Sequence, residues 1–182
     1  MPERSVDAIR MIILDADGVL TDGGLYFDDH ERELKRFDIH DGLGLRLWMS
    51  VGLKIGVITG RGGGALRRRL EEFGIEHYAE GVKDKVVALK AMAAEAGVGL
   101  HEIAFMGDDL PDIPAFRLVG YAMAPDNAQW EVKLSAHYHT RSAGGHGAVR
   151  EGIDWLLRRK GLTQAARSKC VPGLIPEPES RA

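Results

Sequence analysis

The sequence contains a single cysteine, Cys170, among its 182 residues, so the chain cannot close an internal disulfide. It has no apolar run long enough to span a membrane. Its first ten residues, MPERSVDAIR, lack the apolar core of a signal peptide, so we expect the mature chain to begin here. The 24 basic residues do not outnumber the 27 acidic ones, and a net charge of -3 argues against nucleic acid as a partner. These absences predict a cytoplasmic protein with no nucleic-acid and no membrane partner.

Short apolar runs alternate with helix-like patterns, and 45% of the residues are hydrophobic, which is enough for one core. The alternation is typical of an α/β protein with a Rossmann-like, mainly parallel sheet flanked by helices. The predicted strands are MIIL (11–14), LKIGVI (53–58), EIAFM (102–106), GYAMA (120–124) and, more weakly, AHYHT (136–140).

Four segments have the pattern of helices. One would begin at Asp41 as a possible N-cap, two would end at Gly74 and Gly97, and the last covers residues 147–161. From residue 162 onward the chain has three of its seven prolines and few large apolar residues, so we expect it to be mobile or weakly docked. The predicted organisation is one domain over 1–160 and a C-terminal tail over 161–182.

Residues 24–40 interrupt the alternation, because two β-like runs, LYF and LKRF, flank a charged stretch. This pattern predicts a β-hairpin that projects from the loop after the first strand. Such a hairpin can act as a flap over a site or simply be a solvated surface feature, and the sequence favours neither.

Polar side chains follow three of the predicted strands where each strand ends. Because ligands bind outside the carboxyl ends of parallel strands, we expect these side chains to meet at one edge of the sheet. Grouped carboxylates repel one another unless a cation neutralises them, and oxygen ligands without nearby Cys or His favour Mg²⁺. The residues are Asp15 and Asp17 after the first strand, Thr59, Gly60 and Arg61 after the second, and Asp108, Asp109 and Asp112 after the third.

Groups that bind phosphate are available at the same edge. Thr59 supplies a hydroxyl, and GRGGG (60–64) opens a helix whose N-terminus attracts anions. Lys85 begins the next helix and can bring a positive charge to the same edge. Taken singly, an Asp-x-Asp pair or a surface lysine is more often structural than catalytic. The ordered set at strand ends is far more specific.

The segments DADGVLTDG, ITGR, KDK and GDDLPD resemble the four motifs of the haloacid dehalogenase-like phosphatases. With DGLGLRLW and TRSAGGHGAVRE added, the similarity runs from residue 11 to about 158 and points to the subfamily that hydrolyses 3-deoxy-D-manno-octulosonate 8-phosphate. The resemblance implies an aspartyl-phosphate mechanism in which Asp15 is the nucleophile and Asp17 the acid and base. Thr59 and Lys85 would hold the phosphoryl oxygens, and Mg²⁺ would bind Asp15, the Asp17 carbonyl and Asp108, with Asp109 or Asp112 in support.

Many members of this family insert a cap domain, for which there is no room here: 41 residues separate Asp17 from Thr59, and 25 separate Thr59 from Lys85. The resemblance implies that such capless proteins are homotetramers whose neighbours complete the site, with the hairpin as assembly surface. It also implies that Arg150 contributes to substrate binding, while Gly60 and Arg61 line the substrate site. His146 stands where the family usually has Arg or Lys, and it is either a weaker substrate contact or an ordinary loop residue.

The resulting prediction is an Mg²⁺-dependent phosphatase of a sugar-acid phosphate. Phosphates of nine-carbon acids, neuraminate 9-phosphate and deaminoneuraminate 9-phosphate, remain alternative substrates. A non-enzymatic phosphoacceptor or assembly module is a further alternative. A receiver-like phosphoacceptor would have its acceptor where this chain has Thr59, and a silent module has no need of Asp15, Asp17, Lys85 and Asp108 together.

Overall fold

The computed structural model describes residues 5–171 and residue 173. The six strands of its main sheet are β1 (Met11–Leu14), β4 (Lys54–Ile58), β5 (His77–Ala79), β6 (Ile103–Met106), β7 (Tyr121–Ala124) and β8 (Tyr138–His139). They lie in the order β5-β4-β1-β6-β7-β8, and every neighbouring pair is parallel. The predicted α/β fold with a mainly parallel sheet is therefore confirmed.

Two strands lie outside this sheet and form the predicted hairpin. They are β2 (Tyr26–Phe27) and β3 (Glu33–Leu34), which pair antiparallel. The hairpin and one helix fill the chain between Asp17 and Thr59, so no cap domain is present there. The helices are α1 (Ile39–Ser50), α2 (Gly64–Phe73), α3 (Lys85–Ala96), α4 (Ile113–Phe116), α5 (Trp130–Ser135), α6 (Ala148–Arg159) and α7 (Thr163–Cys170).

Alternate residues of β1 pack into two separate cores, one on each face of the sheet. Ile12 and Leu14 contact the core beneath α1, α2, α6 and α7. Met11 and Ile13 contact the core beneath α3, α4 and α5. All four side chains have no exposed surface, as expected for the central strand of a sheet covered on both faces. The end of β1 is therefore fixed at the middle of the sheet edge.

The helix ends are partly as predicted. Gly74 and Gly97 end α2 and α3 with positive φ angles of 64° and 66°, where glycine is favoured. The prediction that Asp41 caps the first helix is wrong, because α1 begins two residues earlier and the Asp38 side chain accepts from the backbone of His40. Asp41 is instead buried and accepts a hydrogen bond at 2.7 Å from the backbone of Arg150.

Further features differ from the sequence prediction, which also lacked the short helices α4 and α5. The short edge strand β5 was not predicted, because its three residues are too few to show a period. The chain after residue 162 is not weakly docked throughout, since Thr163–Cys170 forms α7 and the Ala166 side chain is fully buried against α1. The division at residues 160 and 161 stays a prediction, and residues 172 and 174–182 of the predicted tail lie outside the described residues. None of the helices over residues 5–171 has the length and hydrophobicity that crossing a membrane requires.

Candidate active site

Asp15 lies directly after β1, and its side chain is largely buried at 10% exposure. Its Oδ1 atom lies 3.0 Å from Nζ of Lys85, the first residue of α3. Burial lowers the pKa of Lys85, but the carboxylates of Asp15 and Asp112 raise it above the usual range. The lysine is therefore a fixed positive charge beside Asp15.

Asp112 holds this lysine from the other side. Its Oδ1 lies 2.6 Å from Nζ of Lys85, and its Oδ2 accepts from the backbone of Asp108 at 3.0 Å and of Asp109 at 3.1 Å. Both oxygens of Asp112 are thus engaged in fixing the lysine and the loop after β6. Asp109 is exposed, and its side chain accepts from the backbone of Leu110.

The carboxylates of Asp15, Asp108 and Asp112 each offer an oxygen, and these atoms lie within 4.8 Å of one another. Burial raises the pKa of Asp15 to about 6, although Lys85 opposes the shift. Burial, and then the charges of Asp15 and Asp112, raise the pKa of Asp108 to about 8. Oδ1 of Asp108 is buried and has no hydrogen-bond partner. A hard divalent cation fits this donor set, because it would neutralise the repulsion and occupy the unpartnered oxygen.

The turn after β1 brings backbone against these carboxylates. It is closed by a 3.0 Å hydrogen bond from the Thr21 N–H to the Ala16 carbonyl. Gly18 has φ +88°, and a Cβ atom there would lie 2.0 Å from Oδ2 of Asp108. Only glycine fits both the backbone conformation and this contact.

Asp17 is held at the mouth of the same site. Its Oδ1 lies 2.5 Å from Nζ of Lys35, which follows β3 of the hairpin. Its Oδ2 is buried and has no hydrogen-bond partner, with Nε of Arg61 4.0 Å away. The hairpin therefore contacts the edge of the sheet that carries the site, through the charged pair of Lys35 and Asp17.

A cavity of about 440 Å³ opens at this edge. The Thr59 hydroxyl at its wall donates to the Arg61 carbonyl at 2.9 Å and accepts from the Arg61 N–H at 3.2 Å, so it orders the loop that begins α2. Lys83 is a third cationic residue of the wall, besides Arg61 and Lys85. The lining residues are Asp15, Asp17, Gly23, Thr59, Gly60, Arg61, Val82, Lys83, Lys85, Asp108, Asp109 and Pro111.

The structure brings together all the predicted site residues except Arg150. That side chain lines a separate depression of about 810 Å³, where its Nε lies 2.8 Å from Oδ2 of Asp154. A substrate contact of Arg150 within one chain is therefore not observed, and its role stays a prediction for an assembled protein. His146 is exposed, with Nδ1 3.0 Å from the Gly144 carbonyl.

Two residues that organise the site, Lys35 and Asn127, are not among the predicted site residues. Lys35 lies 18 positions from its partner Asp17, and no local pattern connects the two. Asn127 donates to the Gly18 carbonyl at 2.9 Å and accepts from the Gly144 N–H at 2.6 Å, so it joins the first turn to the loop before α6. Asn127 follows the end of β7 by three positions, so the rule that site residues follow strand ends also predicts it.

Comparison with known proteins agrees with this geometry. A family model of haloacid dehalogenase-like hydrolases matches residues 69–151. The chain is 36% identical over 163 residues to the 3-deoxy-D-manno-octulosonate 8-phosphate phosphatase KdsC of Escherichia coli (strain K12), covering 90% of this chain and 87% of that protein.

Two solved structures are similar over most of their length. The 3-deoxy-D-manno-octulosonate 8-phosphate phosphatase of Yersinia pestis has a TM-score of 0.85 and 36% identity, covering 88% of this chain and 86% of that one. The enzyme of the same name from Moraxella catarrhalis, in complex with a magnesium ion, a phosphate ion and a KDO molecule, has a TM-score of 0.85 and 34% identity, covering 88% and 92%. The chain therefore belongs to the haloacid dehalogenase-like hydrolases, in the group that contains the 3-deoxy-D-manno-octulosonate 8-phosphate phosphatases, as its four motifs predicted.

Proposed function

We propose that this protein is an Mg²⁺-dependent phosphatase that hydrolyses 3-deoxy-D-manno-octulosonate 8-phosphate to the free sugar acid and phosphate. The observation that carries the proposal is the buried Asp15 carboxylate, held 3.0 Å from Lys85 within a group of three carboxylates. A carboxylate fixed beside a permanent cation at the end of a central strand is suited to attack phosphorus. The similarity to enzymes of this name over most of their length supports the substrate.

In the first step, a carboxylate oxygen of Asp15 forms a bond to phosphorus while the bond from phosphorus to the sugar oxygen breaks. Asp17 gives a proton to the departing oxygen, because an alkoxide is a poor leaving group. Lys85 holds the phosphoryl oxygens as their charge changes, and the Thr59 hydroxyl joins it once its proton turns from the Arg61 carbonyl to the substrate. The product of this step is the free sugar acid and a phosphorylated Asp15.

In the second step, water attacks phosphorus and gives a proton to Asp17, while the bond between phosphorus and Asp15 breaks. Phosphate leaves, and both aspartates return to their starting states. Asp17 thus acts once as an acid and once as a base.

Asp15, Asp108 and the Asp17 backbone carbonyl would hold the magnesium ion, and when bound the ion supplies charge neutralisation for the phosphoryl group. Asp112 supports the site indirectly, because Lys85 and two backbone N–H groups already occupy its oxygens. Asp109 supports it as part of the cavity wall.

The sugar end of the substrate would meet the cationic side of the cavity. Arg61 and Lys83 line this part, and the Arg61 side chain is 51% exposed. Either residue can attract the carboxylate of a sugar acid, and Gly60 leaves room beside the phosphate. The two nine-carbon acid phosphates carry the same two charged groups, so they belong in the test.

The proposal includes a homotetramer in the cytoplasm. The hairpin exposes apolar side chains that a folded monomer would leave in water: Leu25, Tyr26, Phe27 and Leu34 are 45% to 62% exposed. Several exposed apolar side chains on one hairpin favour an interaction site, and further copies of this chain are the proposed partners. Arg150 of a neighbouring copy would leave its pair with Asp154 to reach a substrate site. A chain with one cysteine suits the reducing cytoplasm.

A phosphate-release screen tests the function. The substrates are 3-deoxy-D-manno-octulosonate 8-phosphate, neuraminate 9-phosphate and deaminoneuraminate 9-phosphate, each with Mg²⁺ and with EDTA. We expect the eight-carbon substrate to give the highest kcat/KM, with activity lost in EDTA and in Asp15→Asn. A higher kcat/KM for a nine-carbon substrate would overturn the assignment of the eight-carbon substrate. An active Asp15→Asn variant would overturn the proposed mechanism.

A further inference from the structure

We propose that Lys35 of the hairpin is a positioning residue that holds one oxygen of Asp17, so that only the other oxygen transfers the proton. The inference rests on the proposed function, because that function gives Asp17 its acid–base role. It adds a residue of the hairpin to the machinery of the reaction.

The burial of Lys35 is the first observation. Its side chain is only 2% exposed, although Phe27 and Leu34 of the same hairpin are 62% and 55% exposed. Lysine rarely buries its ammonium unless the charge is paired. Here Nζ lies 2.5 Å from Oδ1 of Asp17 and 3.3 Å from Oε1 of Glu33. The Lys35 side chain is thus directed inward to two carboxylates, whereas the side chain of a solvated lysine would extend into water.

The two oxygens of Asp17 have different surroundings. Lys35 contacts Oδ1, and the Thr21 hydroxyl donates to the same atom at 3.4 Å. Oδ2 has no hydrogen-bond partner, because Nε of Arg61 at 4.0 Å is beyond hydrogen-bond distance. A carboxylate fixed through one oxygen has a defined orientation, and its second oxygen remains available to exchange a proton.

Positioning of this kind acts on the rate and not on the binding of substrate. A general acid must lie within hydrogen-bond reach of the leaving oxygen, and a small displacement lowers the rate steeply. Without Lys35, the Asp17 carboxylate could rotate about its Cβ–Cγ bond and lose this orientation. Lys35 pairs with Asp17 and Glu33, whereas Lys85 pairs with Asp15 and Asp112. The Thr59 hydroxyl bonds to the backbone of Arg61, so both phosphoryl-binding groups should keep their places when Lys35 is replaced.

The decisive variant is Lys35→Met, which keeps an unbranched side chain of nearly the same length and removes its charge. We expect kcat for the sugar-acid phosphate to fall about 10-fold to 100-fold, with KM within about threefold of the wild type. With p-nitrophenyl phosphate, whose leaving group needs no proton, single-turnover release of nitrophenolate should change by less than about threefold. In an Asp17→Asn background, Lys35→Met should cause no further loss, since the two residues act as one unit.

Lys90→Met provides the matched control, because Lys90 is an exposed lysine of α3 outside the cavity. Thermal unfolding checks that each variant folds, and Lys35→Gln replaces Lys35→Met if the latter does not. A raised KM with unchanged kcat would assign Lys35 to substrate binding and overturn the inference. The inference would also fail if Lys35→Met lowered kcat in the Asp17→Asn background by the same factor as in the wild type. If the wild type is inactive on both substrates, the proposed function fails and this inference fails with it. If the wild type is active and Lys35→Met has the same kcat on the sugar-acid phosphate, only the inference fails.

Discussion

The Nζ atom of Lys85 lies 2.6 Å from Oδ1 of Asp112, and the aspartate side chain has no exposed surface. The other oxygen of Asp112 accepts from two backbone N–H groups of the loop after β6. One buried carboxylate thus joins the start of α3 to the loop that carries Asp108. The lysine proposed to bind phosphate and the carboxylate proposed to bind the metal, Lys85 and Asp108, are coupled through this single residue.

Asp112→Asn should therefore lower both stability and activity. The amide oxygen can still accept from the backbone, but the buried charge of Lys85 loses one of its partners. We expect the free energy of unfolding to fall by about 3 kcal/mol, as when one member of a buried ion pair is removed. Urea denaturation measures this change. Asp126→Asn is the control, because Asp126 is 64% exposed and its pair with Lys133 is long at 3.5 Å, so its loss should stay below about 0.5 kcal/mol. Equal losses in the two variants would contradict the coupling.

Removal of the metal should make stability depend on pH. Without a cation, the pKa of Asp108 is raised to about 8 and that of Asp15 to about 6, first through burial. A raised pKa in the folded state means that the folded protein holds more protons, so stability falls as pH rises from about 4 to about 8. Magnesium competes with those protons.

Differential scanning fluorimetry at pH 5.5 and pH 8, with EDTA and with Mg²⁺, tests this dependence. We expect Mg²⁺ to raise the Tm more at pH 8 than at pH 5.5. Asp108→Asn in EDTA at pH 8 should be more stable than the wild type, by on the order of 1–3 kcal/mol. The same Mg²⁺ effect at both pH values would show that these carboxylates do not bind the ion.

Asp41→Asn should remove a separate pH dependence. Burial raises the pKa of Asp41 to about 6, although the backbone of Arg150 donates to it. Wild-type stability should therefore decline as pH rises through about 4 to 6, and the asparagine keeps the acceptor without the charge. We expect the difference in unfolding free energy between pH 4 and pH 7 to shrink by about 2–3 kcal/mol in the variant. A variant with the wild-type pH profile would show that Asp41 ionises normally in the fold.

Gly18→Ala should disturb the metal site beyond its effect on the backbone. The new Cβ would meet Oδ2 of Asp108 at 2.0 Å, and the position also has φ +88°. Gly52→Ala is the matched control, because its φ is +80° but nothing lies within 4 Å of its Cβ. Each variant should lose about 1 kcal/mol or more from backbone strain. Only Gly18→Ala should also weaken Mg²⁺ binding, about 10-fold or more as measured by calorimetry. Similar Mg²⁺ affinity in both variants would remove the argument for this contact.

Phe27→Asp should prevent the proposed assembly. Phe27 is 62% exposed on the hairpin, and a charge in a desolvated interface is unfavourable. Light scattering should show a tetramer for the wild type and smaller species for the variant, with about 10-fold lower kcat/KM if neighbours complete the site. Val87→Asp changes a residue of α3 that is 64% exposed and should leave the mass unchanged. A monomeric wild type would overturn the tetramer.

The sequence by itself determined the fold class and most of the active edge. The four-residue run Met11–Leu14 predicted a buried strand because its side chains are all apolar, and the rule that ligands bind at strand ends then connected Asp15, Thr59 and Asp108. Lys85 could be predicted because it begins a helix that points to the same edge. These inferences depend on local periodicity, which a single sequence records directly.

Only the tertiary structure decided which groups are paired and which are left open. Lys35 reaches Asp17 across 18 positions, and Asp41 reaches the start of α6 across 109, because distances of this kind depend on how elements pack. The same packing gives Asp112 its role between Lys85 and the loop after β6, and it orders α7 through the burial of Ala166. Arg150 illustrates the reverse case, since packing within one chain directs it to Asp154 and away from Asp15. The spacing of residues in the sequence predicts local geometry, such as which side chains share one face of a strand or helix. Burial and long-range contacts form only when the chain folds.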